Sequence, residues 1–238
     1  VMKNIYKIIS LNILGLILLT TYYFTYRAGF WFNIDSAIFH FFNAPLSTNK
    51  VYLYLVAVTN YRLFDVIAFL AMALLYLHYF LKQSKQDRRR MIAIGFTMLL
   101  MAVLIKQYGR FIPISHESPS LYFDHVNRVS QLTNFGTKDA SGDSFPGDHG
   151  MMLMIFAAFM ARYFGLKAFL YSAGIVVIFS LPRIMAGAHW FTDVYVGSLS
   201  MVSIVLSWFL LTPASDWVIG KLTKLFSALL DRFKIESL

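Results

Sequence analysis

Strongly apolar runs free of Asp, Glu, Lys and Arg occupy 8–26, 66–81, 91–105, 149–161, 168–182 and 194–215. A bilayer-spanning helix needs about 20 such residues, with a range near 17–25. The first and last runs are long enough alone. The others reach that length when flanking residues such as Lys82 and Arg162 lay their aliphatic stems along lipid and keep their charges at the interface. The pattern predicts an all-α, polytopic membrane fold in one domain over 1–238, with six transmembrane helices near 6–26, 63–82, 90–108, 149–166, 167–186 and 192–212. The segment 30–45 is apolar too, but it carries Asp35 and His40 among aromatics and ends at Pro45. It reads as a helix lying in the outer interface. Beyond Pro213, Val218, Leu222, Leu225, Leu229 and Phe233 recur at helical spacing, with Lys221, Lys224, Arg232 and Lys234 around them. That spacing predicts an amphipathic tail helix over 213–238 on the inner leaflet. The first run follows Lys3 and Lys7 as a signal peptide would, but it is too long and no small-residue cleavage site follows, so it is expected to stay as a span.

Composition agrees that lipid is part of the solvent. Apolar residues are 58% of the 238 and charged residues 14%, against roughly 25% charged in soluble proteins. The absence of cysteine excludes disulfide scaffolds, thiolate nucleophiles and cysteine-ligated metals. The net charge of +9 is unevenly placed. Counted over the segments between spans, all of it falls on the face carrying both termini and the cluster Lys82–Arg90. Basic residues gather on the cytoplasmic side, so the termini are expected inside and the segments 27–62, 109–148 and 187–191 outside. Anionic lipid headgroups, not nucleic acid, are the expected partner of this charge.

Candidate chemistry collects at the outer ends of the helices. His189 and Asp193 are four residues apart, a spacing that puts both on one helical face within hydrogen-bonding reach. A carboxylate on one imidazole nitrogen sets the tautomer and leaves the other nitrogen free to attack. Arg183 precedes the turn 186–188 and can offer a bidentate fork to phosphate. His149 follows Pro146-Gly147-Asp148 at the start of the fourth span, where unpaired N–H groups favour an anion. Each motif alone also fits a plain structural role, as a buried His–Asp hydrogen bond or a helix start. A zinc site from His149, His189 and Asp193 is a further alternative, disfavoured by the positive charge of Arg183 beside it.

Together the two motifs resemble the type-2 phosphatidic acid phosphatase superfamily, whose pattern is K-x6-R-P, then P-S-G-H, then S-R-x5-H-x3-D. The third element matches from Arg183 through His189 to Asp193, with Pro182 in place of its serine. The second departs, since Pro146-Gly147-Asp148-His149 has Gly for Ser and Asp for Gly. In the first, Lys106 is followed by Pro113 without the arginine; Arg110, His116 and Lys138 are the cations available to replace it. The segments 59–65, 144–152 and 187–193 are similar to one branch of that superfamily. Its enzymes act at the inner membrane of bacteria, on the periplasmic side, and move a phosphate from undecaprenyl diphosphate to the 1-phosphate of lipid A.

The resemblance implies a metal-independent phosphotransferase without cofactor. His189 would be the nucleophile, Asp193 its support and His149 the proton donor and acceptor. Arg183, Lys106, Arg110, His116, Lys138, Ser144, Gly147 and Asp148 would surround the phosphates. Asp148 fits either a helix N-terminal acid or a group that discriminates water from the acceptor. A lipid diphosphate phosphatase would use the same residues with water. A channel or transporter with a proton relay would place His and Asp similarly but form no phosphoenzyme.

Overall fold

The computed structural model describes residues 2–109 and 111–232. Arg110, a candidate phosphate ligand, lies outside the described residues, as do Phe233 and Lys234 of the expected tail helix. The described residues are mostly helical, with a largely irregular segment over 111–147, and their one β pairing is an isolated bridge between Tyr61 and Thr137.

Nine helices carry the argument: α1 Met2–Thr25, α2 Phe30–Asn43, α3 Lys50–Thr59, α4 Arg62–Leu81, α5 Lys85–Gly109, α6 over 148–164, α7 over 166–185, α8 Asp193–Leu210 and α9 Pro213–Arg232. Helices α6 and α7 form one run, Asp148–Met185, interrupted at Gly165 (φ 84°, ψ −172°). At 1.5 Å per residue a straight run of that length would separate its ends by about 55 Å. Instead His149, near its start, and Arg183, near its end, both contact Asp65. The chain therefore reverses at Gly165, where a positive φ is open to glycine without steric cost. The turn lies within two residues of the boundary expected between the fourth and fifth spans.

Among the described residues five helices are long and apolar enough to cross a membrane, the run Asp148–Met185 counting as one. Only 6% of the most apolar window of α4 is buried, against 67% of that of α8. Helix α4 is thus peripheral and α8 central, and the outward apolar surface of α1, α4 and α5 is what lipid would solvate. Helix α1 docks on α8 through polar pairs inside the apolar layer. Asn12 Nδ2 donates to Ser207 Oγ at 2.8 Å, and Trp208 Nε1 donates to Asn12 Oδ1 at 3.0 Å.

The segment 27–62, expected as an interfacial helix and loop, holds two helices. Asn49 caps α3 by accepting the Tyr52 N–H at 3.0 Å. At ten residues α3 is too short to span a bilayer; it buries Leu53, Val56 and Ala57 under the site described below. At the opposite end of the bundle, Arg89 reaches Asp231 (2.8 Å) and Arg90 reaches Asp216 (3.4 Å). Those aspartates are about 22 Å apart along α9, so α9 lies across the first turns of α5. Arg162 also binds Asp216, at 2.9 Å.

Candidate active site

The starts of α4, α6 and α8 meet the ends of α5 and α7 at one end of the bundle. Close backbone approach makes this possible. A Cβ at Gly150 would lie 2.6 Å from Val194 Cγ1, so glycine there lets α6 and α8 start side by side; one at Gly147 would lie 3.2 Å from Val194 Cγ2, a tight contact. The Gly147 N–H then donates to the Asp193 carbonyl at 3.0 Å, and Ser198 Oγ donates to the Gly147 carbonyl at 2.8 Å. The wider π turn Asp193–Ser198 sits at this junction, a deviation common at functional sites. Gly147, expected at phosphate, directs its N–H to Asp193 instead.

His189 and Asp193 are together, but not as two positions on one helical face. His189 lies in the bend between α7 and α8. Asp193, fully buried, folds back so that Oδ2 accepts the Trp190 N–H at 2.8 Å and lies 3.4 Å from His189 Nδ1. The hydrogen bond on that nitrogen goes to the Ser144 carbonyl, at 3.0 Å. A carbonyl only accepts, so Nδ1 carries the proton and Nε2 keeps its lone pair. The Ser144 hydroxyl turns to His116, 3.2 Å from its carbonyl and 3.4 Å from its Nδ1.

Arg183 is 5% exposed. It donates through Nη2 to Asp65 Oδ1 and through Nη1 to Asn60 Oδ1 at 3.4 Å, leaving three of its five N–H groups for a ligand. Lys138 Nζ binds Asp65 Oδ2 at 2.8 Å, and its backbone N–H donates to the Asn60 carbonyl at 3.1 Å. His149 Nδ1 lies 3.9 Å from Asp65 Oδ1. Asp65 is therefore the hub of the cationic cluster, yet sequence reasoning gave it no role. Its signals are an acid in the first turn of an otherwise apolar span and its place at the end of 59–65, one of the segments that carry the family resemblance. Asn60, in the same segment, was also given no role; its Nδ2 donates to the Pro182 carbonyl at 2.8 Å and holds the end of α7 over the site.

Two cavities meet here. One, of about 220 Å³, is lined by Asp65, Lys138, His149, Arg183 and His189. The other, of about 350 Å³, is lined by Lys106, Ser115, Asp143 and Phe145. Ser141, Asp148 and His189 border both. Asp148, the first residue of α6, binds Lys106 Nζ at 2.7 Å and so links the two. His149, His189 and Asp193 do not converge as a ligand set: His149 turns to Asp65, while Asp193 lies between His189 and His116. Among the described residues no group of three or more such side chains is placed to hold a metal ion.

The PAP2 superfamily pattern matches residues 113–217, which hold both histidine motifs, Arg183 and Asp193. The chain is also 52% identical, over 218 residues, to the lipid A 1-diphosphate synthase of Escherichia coli (strain K12), an alignment covering 91% of this chain and 92% of that enzyme. No solved structure matches it. With that identity along nearly its whole length, and with the pattern's two histidines and Arg183 assembled around one cavity, the chain belongs to the PAP2 superfamily.

Proposed function

We propose that this protein is a lipid A 1-diphosphate synthase, moving the distal phosphate of undecaprenyl diphosphate to the 1-phosphate of lipid A through a phosphohistidine. The observation that carries the reading is His189 on the border of two cation-lined cavities, its Nδ1 bonded to the Ser144 carbonyl and its Nε2 free to attack. The donor's distal phosphate sits with Arg183, Lys138 and His149. Nε2 attacks phosphorus, the N–P bond forms, and the bond to the bridging oxygen breaks. His149 gives a proton to the departing undecaprenyl phosphate. Asp193 supports the positive charge that develops on the ring. The 1-phosphate of lipid A enters beside Lys106 and one of its oxygens attacks the phosphorus of the phosphohistidine; the O–P bond forms, the N–P bond breaks and returns its electron pair to Nε2, and His149 takes the proton of the acceptor phosphate. Charge on the equatorial oxygens is met by Arg183 and Lys138, so the protein contributes position and electrostatics. Before the donor arrives, Asp65 offsets the mutual repulsion of these cations, and the incoming phosphate takes over part of that task.

Thin-layer analysis with the distal phosphate of the donor radiolabelled tests this reading. Label should appear in lipid A diphosphate only when lipid A is present. Release of inorganic phosphate at one rate with and without lipid A would replace the transferase by a hydrolase.

The same reading sets the protein in a bacterial inner membrane with six spans, α6 and α7 each crossing once, as lengths of about 25 and 30 Å allow. Membrane lipids are then its surroundings. The site faces the periplasm, and both termini and the basic segment 82–90 face the cytoplasm. Single cysteines replacing Lys138 and Lys85 in this cysteine-free chain should label from opposite sides. In sealed spheroplasts an impermeant maleimide should modify Lys138→Cys and spare Lys85→Cys. Modification of both would overturn the orientation.

A further inference from the structure

His116, one of the cations expected at phosphate, lies behind Asp193 and does not line the cavity of Arg183 and Lys138. Its Nδ1 is 3.2 Å from the Glu117 carbonyl and 3.4 Å from Ser144 Oγ; the Ser144 hydroxyl donates to the His116 carbonyl at 3.2 Å, so both neighbours of Nδ1 are acceptors and that nitrogen bears a proton. Its Nε2 is 2.7 Å from Tyr22 Oη and 3.4 Å from Asp193 Oδ1. A neutral ring would make Nε2 an acceptor. It would take the tyrosine hydroxyl proton and set its remaining electron density towards the carboxylate. Asp193 Oδ1 would then stay as it stands geometrically, a fully buried oxygen with no hydrogen-bond partner among the described residues. Burying a carboxylate oxygen unpaired is costly. The protonated ring removes both conflicts at once. Nδ1–H donates to Glu117, and Nε2–H points between Tyr22 Oη and Asp193 Oδ1.

We propose that His116 is a positioning residue that acts through Asp193: as an imidazolium it holds Oδ1 and thereby fixes Oδ2 beside Nδ1 of His189. The inference rests on the assignment of His189 as nucleophile. The ring is held for this task on several sides. Tyr22 stacks on Phe145 at 5.0 Å and 16°, and the Tyr26 and Trp190 rings lie 5.6 and 6.1 Å from His116. The other charged or titratable groups facing it are Glu117, Arg27, Asp35 and Tyr122, which share with it a cavity of about 400 Å³. Burial pushes the Asp35 carboxyl up to about 7, against two hydrogen bonds from Thr192. The cavity also offers a small molecule a route to the space that His116 would vacate.

The test uses full-length protein in proteoliposomes with labelled donor and lipid A. His116→Ala should lower kcat about 10–100-fold, the loss typical when a group supporting a reactive residue is removed, with KM for the donor unchanged. His116→Gln, nearly isosteric and able to donate one hydrogen bond, should retain more activity and covers the case in which His116→Ala folds poorly. Added imidazole should restore transfer by His116→Ala, and the restoration should fade as pH rises and imidazole loses its proton. A wild-type kcat in both variants would overturn the inference. So would a raised KM with kcat intact, which marks a phosphate ligand, or rescue indifferent to the protonation of imidazole. A phosphoenzyme that survives His189→Ala would overturn the nucleophile assignment and this inference with it. If that phosphoenzyme is lost while His116→Ala runs at full rate, only the role of His116 fails.

Discussion

His189→Ala is expected to abolish transfer, with kcat falling by roughly 10⁴-fold or more, as when a covalent nucleophile is removed. No neighbouring group can replace it. His149 is turned towards Asp65, and the His116 ring is engaged with Tyr22, Glu117 and Asp193. The fold should persist, because the substitution deletes one hydrogen bond, that to the Ser144 carbonyl, worth about 1 kcal/mol. Brief incubation with labelled donor and quenching in alkali should leave acid-labile label on the wild-type chain and none on the variant. Asp193→Asn should still form a phosphoenzyme, but slowly. The bond from Nδ1 to Ser144 keeps the tautomer, while the charge that supports the developing imidazolium is gone. Acid-labile label persisting on His189→Ala would assign the chemistry to another residue.

Arg183→Ala should be the next most damaging change, costing about 10²–10³-fold in transfer, the range for loss of a preorganised group facing developing charge. Arg183 is buried and fixed by Asp65 and Asn60, so its remaining N–H groups are aimed before the phosphate arrives. Arg183→Lys should recover little, since an ammonium cannot hold Asp65, Asn60 and a phosphate in one plane. Lys138→Ala should cost no more than about tenfold, because Lys138 is half-exposed and its interaction is screened by water. Transfer rates of the three variants at equal expression check this order. A wild-type rate for Lys138→Ala would remove that residue from the site, and a loss matching that of Arg183→Ala would mean the two act as one unit.

The sequence by itself determined the helical membrane architecture, because spans report themselves through local runs of apolar residues and need no knowledge of their neighbours. It also determined that Arg183, His189 and Asp193 belong together, since they are close along the chain and their side chains have few other uses in an apolar setting. What only the tertiary structure decided are the contacts between distant residues. Asp65 is 73 residues from Lys138 and 118 from Arg183, and no periodicity or motif records that the three meet. The acceptor on His189 Nδ1 is a backbone carbonyl 45 residues away, a group every residue carries and no sequence pattern can mark. His116 looked like a spare cation, and packing against Tyr22 and Phe145 placed it behind Asp193. Backbone hydrogen bonds and ion pairs are chosen by where the helices end in space. Those ends are set here by the reversal at Gly165 and by the close approach of Gly147 and Gly150 to Val194.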